Sequence, residues 1–184
     1  MYTMEELKAH CLKCNKCRLA STRTNVVFGE GNVHADIMFV GEGPGYFEDI
    51  QGRPFVGKAG QLLDKMIEAI KMKRSDVYIA NVVKCRPPDN RNPLDDECDA
   101  CLEYLRWQVK LINPKIIVCL GAVSAKKLID SEFKISRQRG QFVKKGNFYF
   151  MPTYHPSYLL RNEPSKKDAW EDFKNIAAKI KELQ

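Results

Sequence analysis

The sequence of 184 residues contains no long apolar segment. No stretch approaches the ~20 consecutive apolar residues that cross a bilayer. The first ten residues, MYTMEELKAH, lack the apolar core of a secretory signal peptide. Internal repeats, low-complexity tracts and Gly/Ser linkers are absent as well. We therefore expect a soluble intracellular protein that folds as one domain over residues 1–184.

Acidic residues are outnumbered, and this limits the class of partner. The chain has 30 Lys and Arg against 23 Asp and Glu, and its isoelectric point is about 9.0. A basic surface favours a polyanionic partner, but many basic proteins simply carry a solvated charged surface. Composition leaves these two interpretations equally open, so a motif must decide between them.

Seven cysteines are many for an intracellular chain, and their odd number argues against complete pairing in disulfides. In a reducing compartment, thiols more often serve as metal ligands or lie buried in the core. The cysteines therefore indicate a metal centre or a set of buried thiols.

Four short apolar runs rich in β-branched or aromatic residues predict buried strands. They are residues 37–40, 77–83, 116–120 and 148–151. Apolar residues recur at helical spacing between several of these runs. A final amphipathic helix is predicted to turn four residues inward: Trp170, Phe173, Ile176 and Ile180.

The helix that follows the second run has a marked beginning. Asn92 is a plausible N-cap, Pro93 suits the first helical position, and three carboxylates at residues 95–97 favour the first turn. Strand and helix thus alternate along the chain. We predict an α/β fold of three layers, with a central four-stranded parallel sheet flanked by helices.

Ligands of open parallel sheets bind beyond the carboxyl ends of the strands, so the segments after each run matter most. GEGPGYFED at residues 41–49 follows the first run, KCRPP at 84–88 the second, and HPS at 155–157 the fourth. The GxGxxG of a dinucleotide site and the GK[ST] of a phosphate loop are both missing. We expect the three segments to converge on one site, although a structural turn is the alternative for the first.

These segments carry groups suited to hydrolysis. Glu42, Glu48 and Asp49 would supply carboxylates for handling water. A ring N–H of His155 would stabilise a developing oxyanion. His10 and His34 are interpreted as ordinary structural histidines.

Six motifs spread over nearly the whole chain carry a resemblance to one family. They are CxxCRL at residues 14–19, VFGEGN at 27–32, GEGPG with its Glu-Asp ending at 41–49, GRPFVGKAG at 52–60, NVVKCRPP at 81–88 and HPSYLLR at 155–161. In these motifs the chain resembles the family 4 uracil-DNA glycosylases, the iron–sulfur type found in many bacteria and archaea.

The resemblance implies base-excision repair of DNA. The family hydrolyses the N-glycosidic bond of uracil after the nucleotide is flipped out of the stack, and an abasic site remains. The implied substrate-binding residues are Gly43, Pro44, Gly45, Phe55 and Asn81.

In this interpretation Phe55 stacks on uracil, and His155 with the loop backbone stabilises charge on the uracil oxygen. The Asn81 amide donates to O4 and accepts from N3–H, a pattern that cytosine reverses. Core packing of Phe55 and a strand-end cap by Asn81 are the structural alternatives.

The implied catalytic residues are Glu42, Glu48, Asn90 and His155, with water as the nucleophile. A related family has Asp where this chain has Gly43. Glu42 and Glu48 are therefore the candidates to position water, and we favour Glu48, with Asn90 assisting. The family commonly has acidic residues at the positions of Tyr46 and Phe47. This departure would alter how the pocket edge or the DNA is contacted, unless the two rings simply pack on the surface.

The expected DNA contacts are Arg86, Ser157, Leu159, Leu160 and Arg161. The two leucines would wedge into the base stack, with a buried helical turn as the alternative. The polar residues would bind phosphate and set the salt dependence of binding. Arg91 is expected to bind phosphate as well, and Arg137 and Arg139 are weaker candidates for such contacts.

The resemblance assigns Cys14, Cys17, Cys85 and Cys101 as ligands of a [4Fe-4S] cluster with a structural role. Spacing alone also allows a zinc site with four thiolates. Cys11 and Cys98 each lie three residues before an assigned ligand, so the pairs Cys11/Cys14 and Cys98/Cys101 are alternatives. Cys119 falls inside an apolar run and is expected to be a buried thiol.

The expected partner is uracil-containing DNA, single- or double-stranded, bound by a monomer that is cytoplasmic and associated with the nucleoid. Two other classes compete: a noncatalytic DNA-binding module and a zinc-stabilised nucleotide-binding protein. The combination of His155 with carboxylates opposes the first, and the missing phosphate-loop signature opposes the second. A related branch traps DNA covalently through a histidine in a basic insert after the second strand. Residues 86–92 contain neither the insert nor a histidine, which predicts turnover.

Overall fold

The computed structural model describes residues 1–184 and is organised around a six-stranded sheet. The strands are β1 (Glu30–Gly31), β2 (Ile37–Gly41), β3 (Tyr78–Asn81), β4 (Ile116–Leu120), β5 (Val143–Lys145) and β6 (Phe148–Thr153). Their order across the sheet is β1-β3-β2-β4-β6-β5. The four central strands are parallel, as the apolar runs predict. β1 and β5 add antiparallel edges, which were not predicted because two or three residues leave no alternating pattern.

Eight helices surround the sheet. They are α1 (Met4–Leu12), α2 (Tyr46–Gln51), α3 (Lys58–Ala69), α4 (Asp95–Ile112), α5 (Ala122–Leu128), α6 (Ile135–Gln138), α7 (Pro156–Arg161) and α8 (Lys166–Glu182). None of them combines the length and the apolar character that a membrane crossing requires. In α8, Phe173, Ile176 and Ile180 are buried as predicted, but Trp170 is 39% exposed, so its predicted inward position is wrong.

The central strands are buried on both faces, which explains why their sequences are continuously apolar. Met38 and Val40 of β2 belong to a core shared with residues of α1 and α4. Ile37 and Phe39 belong to the opposite core, with residues of α3 and α8. The Phe39 ring stacks on Phe173 with 5.7 Å between ring centroids. The predicted three-layer α/β architecture is therefore confirmed.

The chain leaves the sheet earlier than predicted in the second run. β3 ends at Asn81, and the backbone N–H groups of Val82 and Val83 donate to the carbonyl oxygens of Gly41 (2.9 Å) and Glu42 (3.1 Å). These bonds hold the segment after β3 against the loop after β2. The two segments expected to form the site are thus adjacent through their backbones.

The predicted beginning of α4 is wrong by two residues. The helix begins at Asp95 with Leu94 as its N-cap, so Asn92 and Pro93 lie outside it. The buried Glu97 carboxylate accepts a hydrogen bond from the Leu94 N–H at 2.8 Å. It also accepts two from the Arg91 guanidinium, at 2.8 and 2.9 Å. The helix start at Asp95 thus coincides with a local ion pair between Arg91 and Glu97, six residues apart, and with the Leu94–Glu97 hydrogen bond.

Gly60 in the first turn of α3 permits a close backbone contact. A Cβ atom at this position would lie 1.9 Å from the carbonyl oxygen of Phe55. We predict that Gly60→Ala lowers the free energy of unfolding by about 2 kcal/mol through overpacking, although Gly-to-Ala inside a helix ordinarily stabilises by about 1 kcal/mol. Urea titration measures the change. Gly57→Ala is the matched control because its Cβ would have ordinary contacts at 3.5 Å, and equal stability of the two variants would contradict the prediction.

Candidate active site

The three segments predicted to converge meet at the carboxyl ends of β2, β3 and β6. Gly41 at the end of β2 pairs with Asn81 at the end of β3. The Phe55 ring, on the loop before α3, stacks on the His155 ring with centroids 5.5 Å apart and planes inclined by 28°. The segment 84–88 follows Asn81 directly. The convergence predicted from strand order is confirmed.

Because Gly41 has no side chain, a small space remains between Asn81 and Phe55, two predicted binding residues. We call this space the cradle. A Cβ atom at Gly41 would lie 2.5 Å from Asn81 Oδ1 and 2.6 Å from Phe55 Cζ. Asn81 is only 2% exposed, and its Oδ1 is buried without a hydrogen-bond partner. Buried polar atoms are normally paired, so an orphaned acceptor beside an aromatic ring marks a place for a ligand donor.

Phe55 is held in a backbone conformation that side chains rarely adopt, with φ 51°. The Arg74 guanidinium donates to the carbonyl oxygens of Phe55 (2.9 Å) and Pro54 (2.5 Å). It also forms ion pairs with Glu30 and Asp64 at 2.8 and 2.9 Å. These contacts hold Phe55 in its strained backbone conformation, and such strained residues are common at binding sites. Arg74 is not predicted from the sequence, because no motif distinguishes it from its basic neighbours.

Glu48 connects the loop after β2 with the segment that carries Phe55. Its carboxylate accepts hydrogen bonds from the N–H groups of Gly45 (3.0 Å), Val56 (2.9 Å) and Gly57 (2.8 Å). The Gly45 N–H is therefore used internally, which leaves it no donor for the substrate role predicted for it. By contrast, no hydrogen bond within the chain uses the Gly43 N–H. Pro44, also predicted to bind substrate, is buried and has no N–H.

Asp49 does not face the site. It is 3% exposed, and its carboxylate accepts hydrogen bonds from the N–H groups of Thr24 and Asn25 at 2.9 to 3.2 Å. The expectation that Asp49 handles water is wrong, because the carboxylate anchors the N-terminal segment to α2.

Glu42 is the carboxylate without partners in this region. It is half-buried in the loop after β2, and no hydrogen bond or ion pair engages its side chain. Burial raises the pKa of Glu42 above its usual value. A carboxylate that is poorly solvated and unpaired is a better proton acceptor than one that already receives several N–H bonds.

Asn90 lies further out, on the exposed turn after the KCRPP segment. It has φ 56°, and its Oδ1 accepts a hydrogen bond from Arg86 Nε at 2.7 Å. The Arg86 guanidinium also lies over the Tyr46 ring, 5.3 Å from the centroid. Arg86 and Asn90 therefore belong to the rim of the site rather than to its floor.

His155 is the N-cap of α7, and one of its ring nitrogens is already occupied. The Ser157 N–H donates to Nδ1 at 3.0 Å, and Ser157 Oγ lies 2.7 Å from the same atom. An Nδ1 that accepts a proton donor carries no proton, so the neutral ring has its N–H at Nε2. Burial, with a smaller contribution from Arg161, lowers the pKa of His155 to about 4. At neutral pH the ring is an uncharged hydrogen-bond donor.

The residues expected to contact DNA differ in how far their side chains are exposed to solvent. Leu159 is 1% exposed, so it has no face available to DNA, and its predicted wedge role is wrong. Leu160 is 43% exposed, and Arg161 is exposed beside it. Ser157 is half-buried and occupied with His155. Arg91 is engaged with the buried carboxylate of Glu97. Of the two weaker candidates, Arg139 is engaged with the buried Asp172, whereas Arg137 is exposed.

Five cysteines line one cavity between the N-terminal segment, the chain after β3 and α4. They are Cys11, Cys14, Cys17, Cys85 and Cys101. Cys98 is buried elsewhere, which disfavours a Cys98/Cys101 pair, while Cys11 keeps the alternative with Cys14 open. Cys119 is fully buried in β4, as predicted.

Donors surround these thiols. The Arg23 guanidinium donates to Cys85 Sγ at 3.4 Å and to the Cys14 carbonyl oxygen at 2.7 Å. The Lys84 N–H donates to Cys101 Sγ at 3.2 Å. N–H donors directed at sulfur suit thiolate ligands. No group of three or more His, Cys, Asp or Glu residues is arranged to hold a single metal ion.

Comparison with known proteins identifies a family over most of the chain. A profile of the family described as "Uracil DNA glycosylase superfamily" matches residues 28–174. A Type-4 uracil-DNA glycosylase of Thermotoga maritima is 46% identical, with 98% of each chain covered. The Type-4 uracil-DNA glycosylase of Sulfurisphaera tokodaii is 47% identical over 96% of this chain and 84% of its own length. That of Saccharolobus solfataricus is 46% identical over 89% of this chain and 80% of its own length.

The low pKa of His155 gives a pH-dependent prediction. In the unfolded chain His155 has its ordinary pKa of 6.5, whereas in the folded protein its pKa is about 4. The unfolding free energy therefore falls as the pH decreases through this window, and His155→Gln removes that part of the slope. Urea titrations at several pH values measure the stability, and NMR of the ring protons measures the pKa directly.

The matched control compares two arginines. Arg161→Gln should raise the pKa of His155 while leaving it below 6.5, since burial is the larger cause. Arg137→Gln, at an exposed position that does not influence His155, should not change it. An ordinary pKa in the folded wild-type protein would contradict the neutral-donor interpretation.

Proposed function

The chain belongs to the uracil-DNA glycosylase superfamily, and we propose that it excises uracil from DNA by hydrolysing the N-glycosidic bond. The observation that carries this proposal is the orphaned Asn81 Oδ1 in a cradle beside Phe55 and His155. Relatives that match nearly the whole chain are named Type-4 uracil-DNA glycosylases, which supports the same activity. The product is an abasic site in DNA.

Recognition requires that the uridine be flipped into the cradle, since the buried Asn81 is out of reach of a stacked base. Phe55 stacks on the uracil ring. Asn81 Oδ1 accepts the N3–H, and its Nδ2 donates to O4. Cytosine has a bare N3 and an amino donor, so it leaves the buried amide unpaired. An unpaired buried group costs about 1–3 kcal/mol, which discriminates between the two bases.

Departure of uracil as an anion places negative charge on its carbonyl oxygens, O2 and O4. His155 donates its Nε2–H to this charge while remaining neutral, and the unused Gly43 N–H adds a second donor. His155 donates a hydrogen bond to uracil but does not transfer its proton. The bonding electrons of the C1′–N1 bond therefore leave with uracil as an anion.

Water attacks C1′ of the sugar from the other side. We assign the carboxylate that orients this water, and accepts its proton, to Glu42, because that side chain is poorly solvated and unpaired. Glu48 is the positioning residue that joins the two loops, which reverses the preference inferred from the sequence. Asn90 supports the rim through Arg86.

For DNA contacts we propose Leu160 as the wedge, with Arg161 and Arg86 near the phosphates. Ser157 acts on His155 instead. The proposal includes action as a monomer on chromosomal DNA, single- or double-stranded. Sedimentation and binding to both forms of DNA test these points.

The cysteine cavity fits a [4Fe-4S] cluster ligated by Cys14, Cys17, Cys85 and Cys101. When bound, the cluster supplies a covalent cross-link between the N-terminal segment, the chain after Asn81 and α4. N–H donors directed at sulfur suit thiolate ligands of either metal, and the resemblance to the iron–sulfur type of the family favours a cluster over a single zinc ion. No step of hydrolysis uses it.

The catalytic assignment is tested by release of uracil from a labelled oligonucleotide, detected by alkali cleavage of the abasic product. Glu42→Gln should lower kcat by about 100-fold or more. In the wild type, kcat should fall as the pH decreases below the raised pKa of Glu42, because the protonated carboxyl group cannot accept a proton from water. Glu42→Gln should abolish this fall in kcat at acidic pH. Glu48→Gln should lower the melting temperature together with the activity, because three N–H groups lose a charged acceptor.

Glu132→Gln is the matched control at an exposed position. An acidic limb that persists in Glu42→Gln would contradict the role of Glu42. Absence of abasic product with the wild-type protein would contradict the proposed activity itself.

The metal assignment is tested on anaerobically purified protein. We expect broad visible absorbance with four iron and four sulfide per chain. Cys101→Ser should lose absorbance and iron, whereas Cys98→Ser should keep both. Cys11→Ser should also keep both if Cys14 pairs with Cys17. A colourless protein that contains zinc would contradict the assignment.

A further inference from the structure

Helix α2 has an inverted distribution of polar and apolar side chains. Its carboxylates Glu48 and Asp49 face the protein, where they accept backbone hydrogen bonds. Its large apolar residues face solvent: Tyr46 is 52% exposed, Phe47 58% and Ile50 50%. These three residues lie on one side of the helix, because Ile50 is four residues from Tyr46 and three from Phe47. We call them the α2 face.

The α2 face is continuous with the rim of the active site. A Cβ atom at Gly57, two residues after Phe55, would lie 3.8 Å from the Phe47 ring. On the other side, Arg86 lies over the Tyr46 ring and binds Asn90. The exposed rings of Tyr46 and Phe47 are edge-to-face, with centroids 5.3 Å apart. The two rings therefore border the rim of the active site.

The chemistry of the face selects an unpaired nucleobase. Aromatic rings beside a guanidinium form the combination that binds single-stranded nucleic acid, with bases stacked on rings and the cation near the phosphates. A base inside a duplex has both faces covered by its neighbours. The nucleotide next to a flipped uridine has lost one neighbour, and in single-stranded DNA its face is free.

We propose that the exposed Phe47 ring, supported edge-to-face by Tyr46, forms a stacking platform for the base adjacent to the flipped uridine, so that the protein favours uracil in unpaired DNA. This inference rests on the proposed action on DNA. Stacking is tolerant of sequence because every base has an aromatic face. The platform therefore affects the preference for strand state and not the choice of base.

The test measures binding of the full chain to an oligonucleotide that contains 2′-fluoro-2′-deoxyuridine, in which the fluorine slows cleavage. The neighbouring nucleotide on the 5′ or the 3′ side is replaced in turn by an abasic spacer. We expect one of the two spacers to weaken wild-type binding to the single strand by about tenfold. The double variant Tyr46→Ala/Phe47→Ala should be weakened similarly with the normal strand and be insensitive to that spacer.

Two controls separate stacking from general effects. Trp170→Ala removes an aromatic residue that is exposed on α8 and should change nothing. The salt dependence of binding should be unchanged in the double variant, because no charge has been removed. Binding to duplex DNA should change less than binding to the single strand.

The proposed platform is contradicted if neither spacer weakens DNA binding by the wild type. It is also contradicted if the double substitution weakens binding by the same factor whether the neighbouring base is present or replaced by the spacer. It is also overturned if the double variant changes only the oligomeric state in sedimentation. Wild-type protein that binds the fluorinated strand but releases no uracil from a normal one contradicts the proposed function alone. Protein that binds neither strand contradicts both.

Discussion

The arrangement of the site depends on the hydrogen bonds that the Glu48 carboxylate accepts from three N–H groups. One of these belongs to the loop after β2, and two belong to the segment that begins α3. Hydrogen bonds to a charged acceptor are roughly twice as strong as neutral ones. This side chain therefore holds the loop after β2 against the segment that carries Phe55. Arg74 acts from the other side, because it holds the Phe55 carbonyl and with it the unusual φ.

Much of the architecture could be predicted from the sequence, because it follows from local patterns. Continuous apolar runs indicate strands buried on both faces, and the segments after parallel strands must share one edge of the sheet. Residues 41–49 and His155 were placed together on that basis. The edge strands β1 and β5 were not predicted, since their pairing depends on neighbours rather than on their own residues.

The parts that could not be predicted are contacts between residues far apart in the chain. Arg74 reaches Phe55 across 19 positions. Glu48, Asp49 and Glu42 have similar sequence contexts, and only the N–H groups around them distinguish two structural carboxylates from one that is unpaired. Leu159 and Leu160 are neighbours of the same residue type, yet the direction of each side chain on α7 buries one and exposes the other.

The recognition residue and the proposed cluster are linked through Lys84. This lysine is fully buried, and its ammonium donates to the Asn81 carbonyl oxygen at 3.0 Å and to Gln108 Oε1 at 2.6 Å. No carboxylate pairs with it, although a buried charge is normally compensated. Cys101 and Cys85 lie close enough to interact with the Lys84 charge, so these residues, as thiolate ligands, would supply the missing negative charge. A cluster ligated there would therefore support the site as well as the fold, because it would stabilise the cation that holds the Asn81 backbone in place.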